Sequence, residues 1–245
     1  MFARLSPAGE QLFPAIRVGL DSFERALEAV KRTRGARTAR LSSTVAFVAR
    51  RLAPRAGSFR AACPGWSLRL DASNQPVDLD VEADAAVRYG DGSYPGLLSE
   101  PLLQDRFSPV CTPGLVEPAR ADLARQTLVH FEWGAAARND ERAVVWPQWL
   151  RKAGLPGLDP DAFDRNAGLS FNDEIHAVQA TLAGQGIGLL SLALVADELA
   201  SGALVQPFPL SLQSFRYDLV YSPLAAERPA TVVLRDWVKR TFAAE

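Results

Sequence analysis

The sequence has few of the residues from which metal, redox and hydrolytic centres are built. It contains 2 cysteines, 2 histidines and 1 methionine in 245 residues. Cys63 and Cys111 are far apart and show no CxxC or Cys/His spacing, so two buried thiols in a reducing compartment are expected and a zinc or redox site is not. His130 and His176 occur without the glycine-flanked serine of a nucleophile elbow. We therefore predict no catalytic residue, no metal and no cofactor.

The sequence also lacks an excess of one charge and any long apolar run. Its 27 basic and 28 acidic residues give a net charge of -1, which argues against a surface built mainly to hold nucleic acid. The sequence contains no run of about eighteen apolar residues, which is the length needed to cross a membrane. Glu10 and Pro14 stand where a secretory signal would need an apolar core. The composition predicts a cytoplasmic globular protein with no membrane partner.

The clearest pattern that is present is a strand, a helix and a second strand near the start of the chain. Residues Arg40–Ser43 have the character of a short buried strand, and the apolar spacing then becomes helical. The residues expected on the buried face of that helix are Phe47, Val48, Leu52, Phe59 and Ala62. Cys63-Pro64-Gly65 ends the helix, and Trp66–Leu70 alternates as a strand. This order predicts a right-handed βαβ unit with parallel strands.

Such a unit presents free backbone N–H groups where its helix begins, at the carboxyl end of the first strand. Open α/β sheets bind small ligands at that place. The hydroxyl run Ser42-Ser43-Thr44 lies at this corner, so we interpret it as one wall of a ligand site.

In the rest of the chain, predicted strands again alternate with predicted helices. The predicted strands are Ala85–Tyr89, Leu97–Leu103, Arg106–Cys111, Thr127–Phe131, Gly168–Phe171, Ile187–Leu190 and Arg216–Tyr221. The predicted helices are Arg120–Arg125, Pro147–Ala153, Asp173–Ala183, Leu192–Leu199 and Pro229–Phe242. The break at Thr112-Pro113-Gly114 divides the chain into two α/β lobes with a central cleft, the natural place for a ligand. Lobe 1 is predicted to hold residues 37–111 and 216–245, and lobe 2 residues 112–215.

A long amphipathic helix is predicted ahead of both lobes, within residues 1–36. Ser6-Pro7 is a favourable helix start, and apolar residues then recur every three or four positions up to Arg34. This stripe must be covered by apolar surface. It either packs back on its own domain or pairs with the same helix of a second chain.

Several phrases resemble one family. RLSPAGEQLFP resembles the linker helix of LysR-type transcriptional regulators, while LAPRAGSFRAACPGWSLRLDAS, AVQATLAGQGIGLL and ELASGALVQPF resemble their effector-binding domain. The resemblance is closest to the glycine-cleavage activator and β-lactamase regulator branch. It implies a periplasmic-binding-protein-like fold of type 2, with two Rossmann-like lobes preceded by the linker helix. It also implies a homodimer or homotetramer and a small-molecule effector in the cleft.

The chain departs from that family in two respects. Roughly sixty residues of winged helix-turn-helix are expected before Leu5 and are absent, so promoter DNA would be bound only through an N-terminal domain missing from this chain. Close relatives also tend to have small hydroxyl residues where this chain has Ala46 and Glu174.

The predicted effector-binding residues cluster at the corners where strands end and helices begin. They are Ser43, Thr44, Val45, Ala46, Ser73, Arg88, Tyr89, His130, Phe131, Asn172, Asp173, Glu174 and Ile187.

Some of these residues have more than one interpretation. Arg88 could bind a carboxylate or lie on the surface. Asp173 and Glu174 are helix N-terminal acids, or else they repel a carboxylate effector and favour an amine. The Gly184-Gln185-Gly186-Ile187-Gly188 segment follows a helix and opens a strand, so it is expected to be a tight turn and not a dinucleotide fingerprint.

These observations favour the ligand-sensing part of a LysR-type regulator. The alternative is a free-standing cytosolic solute-binding protein, which would not need the helix from Ser6 to Arg34. Enzymatic activity is the third possibility, because no acid, base and nucleophile occur together in the sequence.

Overall fold

The computed structural model describes residues 37–134, 137, 140–155 and 168–243, and scattered positions between 6 and 20. Its strands are β1 (Thr38–Ser43), β2 (Ser67–Ala72), β3 (Ala85–Gly90), β4 (Leu98–Val110), β5 (Leu128–Phe131), β6 (Leu169–Phe171), β7 (Ile187–Ser191) and β8 (Leu212–Tyr221). Its α-helices from residue 37 onward are α1 (Val45–Phe47), α2 (Ala56–Ala62), α3 (Val116–Ala121), α4 (Trp146–Ala153), α5 (Glu174–Leu182), α6 (Ala196–Ser201) and α7 (Pro229–Phe242).

All eight strands belong to one sheet with the order β2-β1-β3-β8-β4-β7-β5-β6. β1 pairs in parallel with β2 and β3, and β5 pairs in parallel with β6 and β7. The antiparallel strands β4 and β8 join these two parallel groups. The predicted fold class, α/β with two Rossmann-like lobes, is confirmed.

β4 corrects the prediction of two separate extended segments. It is one strand of 13 residues, although its pairing with β8 shifts between Pro101 and Leu103 and again between Gln104 and Arg106. Proline lacks a backbone donor and breaks the sequence pattern of a strand, but it is accommodated at such irregularities. β8 is likewise longer than predicted and begins at Leu212.

The first βαβ unit forms as predicted, with an irregular helix. α1 continues as a π-helical turn (Val48–Leu52) and a 3₁₀ turn (Ala53–Arg55) before α2. Pro54 cannot donate the hydrogen bond that a regular α-helix would require there. On the predicted apolar face, three side chains are buried and Val48 is half-buried, but Ala62 is exposed. The buried ones are Phe47, Leu52 and Phe59.

Two hydrophobic cores flank the middle of the sheet. The first contains Phe59 and Trp237, whose rings meet edge to face at 5.4 Å, so α7 packs on the first lobe although it is last in the chain. The second contains Phe107, Trp146 and Trp149. These cores hold the strand ends that meet between the lobes.

Two predicted helices are displaced. The helix expected at Arg120–Arg125 is α3, which ends at Ala121 and is followed by a 3₁₀ turn at Leu123–Arg125. The helix expected at Leu192–Leu199 begins at Ala196 instead, because the Ser191 hydroxyl accepts the Leu194 N–H and forms a turn first.

The described positions from 8 to 20 are helical, as predicted for the start of the linker helix. Four apolar side chains there are more than half exposed: Leu12, Phe13, Ile16 and Leu20. The predicted continuation to Arg34 and the hinge after it fall in residues 21–36, which lie outside the described residues. No helix among the described positions has the length and apolar character needed to cross a membrane. The division into residues 1–36 and two lobes remains a prediction.

Candidate functional site

A cavity of about 640 Å³ lies between the two parallel strand groups. The carboxyl ends of β1, β3 and β5 and the start of α5 open onto it, and β8 forms part of its wall. This is the position at which α/β sheets place ligands. Of the predicted effector-binding residues, seven line it: Thr44, Ala46, Tyr89, Phe131, Asn172, Asp173 and Glu174.

The local structure explains why the two helix starts face the cavity. Thr44 is the N-cap of α1, and its hydroxyl accepts the Phe47 N–H at 3.3 Å. Asp173 is the N-cap of α5, and its Oδ1 accepts the Ile175 N–H at 3.1 Å. Capping side chains satisfy donors that the helix leaves unpaired, so both helices direct an N-terminus toward the gap.

One side chain connects these two helix starts across the gap. Asn74 Oδ1 accepts the Val45 N–H at 3.1 Å, and Asn74 Nδ2 donates to Asp173 Oδ2 at 2.8 Å. The predicted corners are therefore close together, on either side of one amide. Among the predicted residues, Val45 takes part through this backbone bond and does not line the cavity.

Three other predicted residues lie behind the cavity wall. Ser43 is buried and donates to the Val87 carbonyl oxygen at 2.9 Å. Ile187 is fully buried in the core of the second lobe. His130 is half-buried, with its ring centroid 6.5 Å from that of Trp146.

The last two predicted residues, Ser73 and Arg88, are engaged with their neighbours. Ser73 Oγ accepts the Gln75 N–H in an exposed turn. The Arg88 guanidinium donates to Ser42 Oγ at 3.3 Å and to the Ser73 carbonyl oxygen at 3.4 Å. Arg88 therefore does not offer its charge to the cavity.

Tyr89, Trp133, Phe215 and Tyr217 form an aromatic wall on one side of the cavity. Sequence reasoning missed Phe215 and Tyr217. Tyr89 stacks on Trp133 with centroids 6.2 Å apart and packs on Tyr217 at 4.5 Å. Phe215 adjoins Trp133 at 5.7 Å. Alternation along Arg216–Tyr221 could have placed Tyr217 on a buried face, and Trp133 is the second residue after the predicted strand that ends at Phe131.

The missed polar residues follow predicted strands just as closely. Asn74 and Gln75 are the second and third residues after β2, while Asp91 follows β3 and Glu132 follows β5. The signal for them was position alone, because residues that continue past the carboxyl end of a strand line the same edge of the sheet.

Two neighbouring carboxyl groups lie at the base of the cavity, with Glu174 half-buried and Asp105 fully buried. Glu174 Oε1 accepts the Ser191 N–H at 2.8 Å. Burial, with the nearby Asp105 charge second, raises the pKa of Glu174 to about 8. Asp105 is fully buried behind it and accepts the Tyr89 hydroxyl at 2.9 Å. Burial raises the pKa of Asp105 to about 6, against the lowering effect of its hydrogen bonds.

Arg142, the basic side chain found among the described residues of the lining, is already paired. The Arg142 guanidinium donates to both carboxylate oxygens of Asp140, at 2.9 and 2.7 Å, and lies 4.8 Å from the ring centroid of Phe215. Its hydrogen bonds to Asp140 raise the pKa of Arg142.

The arrangement is suited to binding. Within the described ranges, no group of three His, Cys, Asp or Glu side chains could hold a metal ion. Both thiols are buried away from the cavity, and burial raises the pKa of Cys63 and raises that of Cys111 to about 11.

Comparison with known proteins agrees with this geometry. The LysR substrate binding domain matches residues 32–243. The chain belongs to the LysR-type regulators. Among curated relatives of this family, the glycine cleavage system transcriptional activator of Escherichia coli K12 is 31% identical over 98% of this chain and 77% of its own length. The transcriptional activator AmpR of Rhodobacter capsulatus is 29% identical over 91% of this chain and 72% of its own. By name these relatives are transcriptional regulators, which are not enzymes.

Solved LysR-type structures share the fold. The effector domain of AmpR from Pseudomonas aeruginosa is 28% identical and has a TM-score of 0.66, covering 85% of this chain and 96% of that chain. The AmpR effector-binding domain of Citrobacter freundii is 22% identical, has a TM-score of 0.67 and covers 85% and 100% of the two chains, which shows likeness of fold.

Proposed function

We propose that this chain is the effector-sensing and oligomerising part of a LysR-type transcriptional regulator. A small molecule binds in the cavity between the lobes and changes how an attached DNA-binding part engages its promoter. The observation that carries this proposal is the cavity itself, which is bounded on opposite sides by the capped helix starts at Thr44 and Asp173.

The ligand acts by shifting a conformational equilibrium. It favours the arrangement of the lobes that it binds more tightly, and only by the difference between its two affinities. The Asn74–Asp173 hydrogen bond spans the gap, so its length and geometry depend on the distance between the lobes. A ligand that shields or replaces this bond acts directly on that distance.

The chain is proposed to function as a homodimer or homotetramer in the cytoplasm. Leu12, Ile16 and Leu20 recur at helical spacing and are each more than half exposed. A second copy of the same helix would cover this stripe. Promoter contact would come from a DNA-binding domain outside this chain, and the proposed role requires no catalysis.

The alternative, a free-standing solute-binding protein, would use the same cavity. The exposed helical stripe and the relatives that activate transcription favour the regulator. The two functions differ in whether ligand binding alters promoter activity when the chain is joined to its DNA-binding part.

The test is to fill the cavity and follow ligand-induced stabilisation. Ala46 lines the cavity, whereas Ala49, one turn along the same irregular helix, is exposed. Ala46→Phe and Ala49→Phe therefore form a matched pair. Thermal unfolding is measured with amino acids, polyamines, dicarboxylic acids and nucleobases. We expect stabilisation of the wild-type chain and of Ala49→Phe by the same compound, and none of Ala46→Phe; equal stabilisation of all three would contradict a site in this cavity.

A further inference from the structure

We propose that the cavity takes a cationic ligand, an organic amine, and holds its charged nitrogen between the aromatic wall and Glu174. This inference rests on the proposed function, since it names the chemical class of effector for the same cavity. Three observations support it: the acidic side chains that line the cavity, the partly desolvated carboxyl group of Glu174, and the cation that the aromatic wall already holds.

Among the described residues, more acidic than basic side chains line the cavity. The acidic side chains are Asp91, Glu132, Asp140, Asp173 and Glu174, and the basic side chain described there is that of Arg142. Arg142 is bound by both oxygens of Asp140 and lies 4.0 Å from Asp91. Among the described residues, the hydrogen bonds to the Asp173 carboxylate come from neutral donors, Asn74 and Ile175.

Glu174 is half-buried at the base of the cavity, close to the buried Asp105. Its Oε1 has one neutral donor, the Ser191 N–H, and no salt bridge is formed by Glu174 among the described residues. Asp105 lies behind it and Asp173 precedes it on the chain, and both raise its pKa further. A carboxylate that is desolvated beside other acids is stabilised by a cation. An ammonium group supplies that charge and N–H donors.

The aromatic wall suits the same group. Arg142 already places a guanidinium over the ring of Phe215 at 4.8 Å, so this wall holds a cation by contact with a ring face. Tyr89, Trp133 and Tyr217 line the cavity beside Phe215. Cation–π contact contributes roughly 0.5–2 kcal/mol, with the larger value in desolvated sites.

An anionic ligand would meet no unpaired basic side chain among the described residues of the lining. Arg88 is directed at Ser42 and Ser73 and does not line the cavity. Arg142 would have to give up its two bonds to Asp140. A carboxylate entering the cavity would also approach Asp173, and like charges in a partly desolvated site repel each other.

Calorimetric titration with two matched sets of compounds tests this inference. One set is 1,4-diaminobutane, butane-1,4-diol and succinate, and the other is tyramine, tyrosol and 4-hydroxyphenylacetate. Within each set the size is similar and the charge runs from positive to negative. We expect an amine to bind at least tenfold more tightly than its neutral and anionic counterparts.

Variants locate the charge that is responsible. Glu174→Gln keeps the shape of the side chain and should weaken amine binding at least tenfold. Asp122→Asn removes an acid that faces Arg125 on the surface and does not line the cavity, so binding should not change. Glu132→Gln, at the exposed rim, should weaken binding two- to threefold and serves if Glu174→Gln fails to fold.

The dependence on pH provides a second measurement. Asp105 and Asp173 carry the neighbouring charges, Tyr89 and Tyr217 present hydroxyl groups, and the Arg51 charge acts on Asp105. Since the amine requires ionised Glu174, its affinity should rise by up to about tenfold per pH unit between about pH 6 and 8. Glu174→Gln should remove most of that rise.

The outcomes separate the two proposals. Tighter binding of an anion or alcohol than of the amine overturns the inference about charge, and the cavity remains the effector site if Ala46→Phe abolishes that binding. Absence of binding by either amine also overturns the inference. The proposed function is then judged by the wider panel with Ala46→Phe and Ala49→Phe, which does not depend on amines.

Discussion

Glu174 combines two roles that sequence reasoning treated as alternatives. It is the first residue of α5, where a carboxylate interacts favourably with the helix dipole. It also lines the cavity and accepts the Ser191 N–H from the end of β7. Helix position brings the side chain to the cavity, and burial then determines its protonation.

Glu174 should make the stability of the protein depend on pH. Its pKa is about 8 in the folded protein against an ordinary value of 4.5, so the folded state binds more protons than the unfolded chain between these values. The contribution of Glu174 to the free energy of unfolding is fully present below about pH 4.5, and it is lost as the pH rises to about 8. Removing the ionisable group should therefore stabilise the protein at high pH.

We expect Glu174→Gln to be more stable than the wild type by about 1–3 kcal/mol at pH 9, and the difference to shrink or reverse near pH 5. Urea unfolding at a series of pH values measures this. Glu117→Gln, at an exposed site on α3, is the control and should follow the wild type. A constant difference between Glu174→Gln and wild type at all pH values would contradict the raised pKa.

At the scale of residues, the sequence predicted the edges of the site better than its walls. Thr44, Asn172 and Asp173 were identified because a strand ends and a helix begins there. Phe215 and Tyr217 were missed, because aromatic side chains occur in cores and cavities alike and no local pattern separates the two. Arg88 was at the right strand end, but its direction depends on hydrogen bonds to Ser42 and Ser73 that no spacing predicts.

At the scale of elements, the turn between α5 and β7 shows how a glycine pattern can be interpreted. Gly184 has a positive φ of 71° at the end of the helix, and a Cβ added at Gly186 would overlap the Thr127 carbonyl oxygen. The predicted tight turn from helix to strand is confirmed. The glycines let β7 lie close against the start of β5.

Two alanine substitutions should therefore have opposite effects. We expect Gly186→Ala to destabilise the protein by about 2–3 kcal/mol, because backbone must move to accommodate the methyl group. Gly57→Ala, in α2 with open space around it, should stabilise by about 0.4–1 kcal/mol. Denaturant unfolding checks both, and similar values for the two variants would argue against the close approach at Gly186.

The amide bridge between the two helix starts gives another prediction at this scale. Asn74→Ala removes the acceptor of the Val45 N–H and the donor to Asp173, so it should cost about 1–2 kcal/mol. Hydrogen exchange should become faster at the start of α1 and at Ile175. Gln75→Ala, which alters the neighbouring cavity residue, is the control, and equal exchange in both variants would show that the bridge does not hold the helix starts.

The sequence predicted most strands and the two longest described helices. It failed where a local signal was overridden by tertiary structure. Leu97–Leu103 and Arg106–Cys111 were predicted as two segments, but pairing with β8 on one side and β7 on the other keeps β4 continuous. The helix expected from Leu192 was delayed by a side-chain bond from Ser191, which requires knowledge of the preceding strand end.

At the scale of the whole molecule, the exposed helical stripe near the N-terminus predicts self-association. Replacing Leu12 and Ile16 with serine removes apolar surface that a second copy would cover. We expect the double variant to have a smaller mass by light scattering than the wild type at equal concentration. Arg17→Ser, on an exposed position of the same helix, should leave the mass unchanged, and a wild-type chain that is itself monomeric would contradict the prediction.

The continuity of β4 and β8 limits how the lobes can move. β8 pairs with β3 of one parallel group, β4 pairs with β7 of the other, and β4 and β8 pair with each other, so the lobes share a two-stranded ribbon instead of being tethered by flexible peptide. Opening the cavity must then twist or bend that ribbon, and the register shifts between Pro101 and Arg106 are where it resists least. Ligand occupancy would thus be transmitted as torsion of a common backbone, which rotates one parallel group relative to the other.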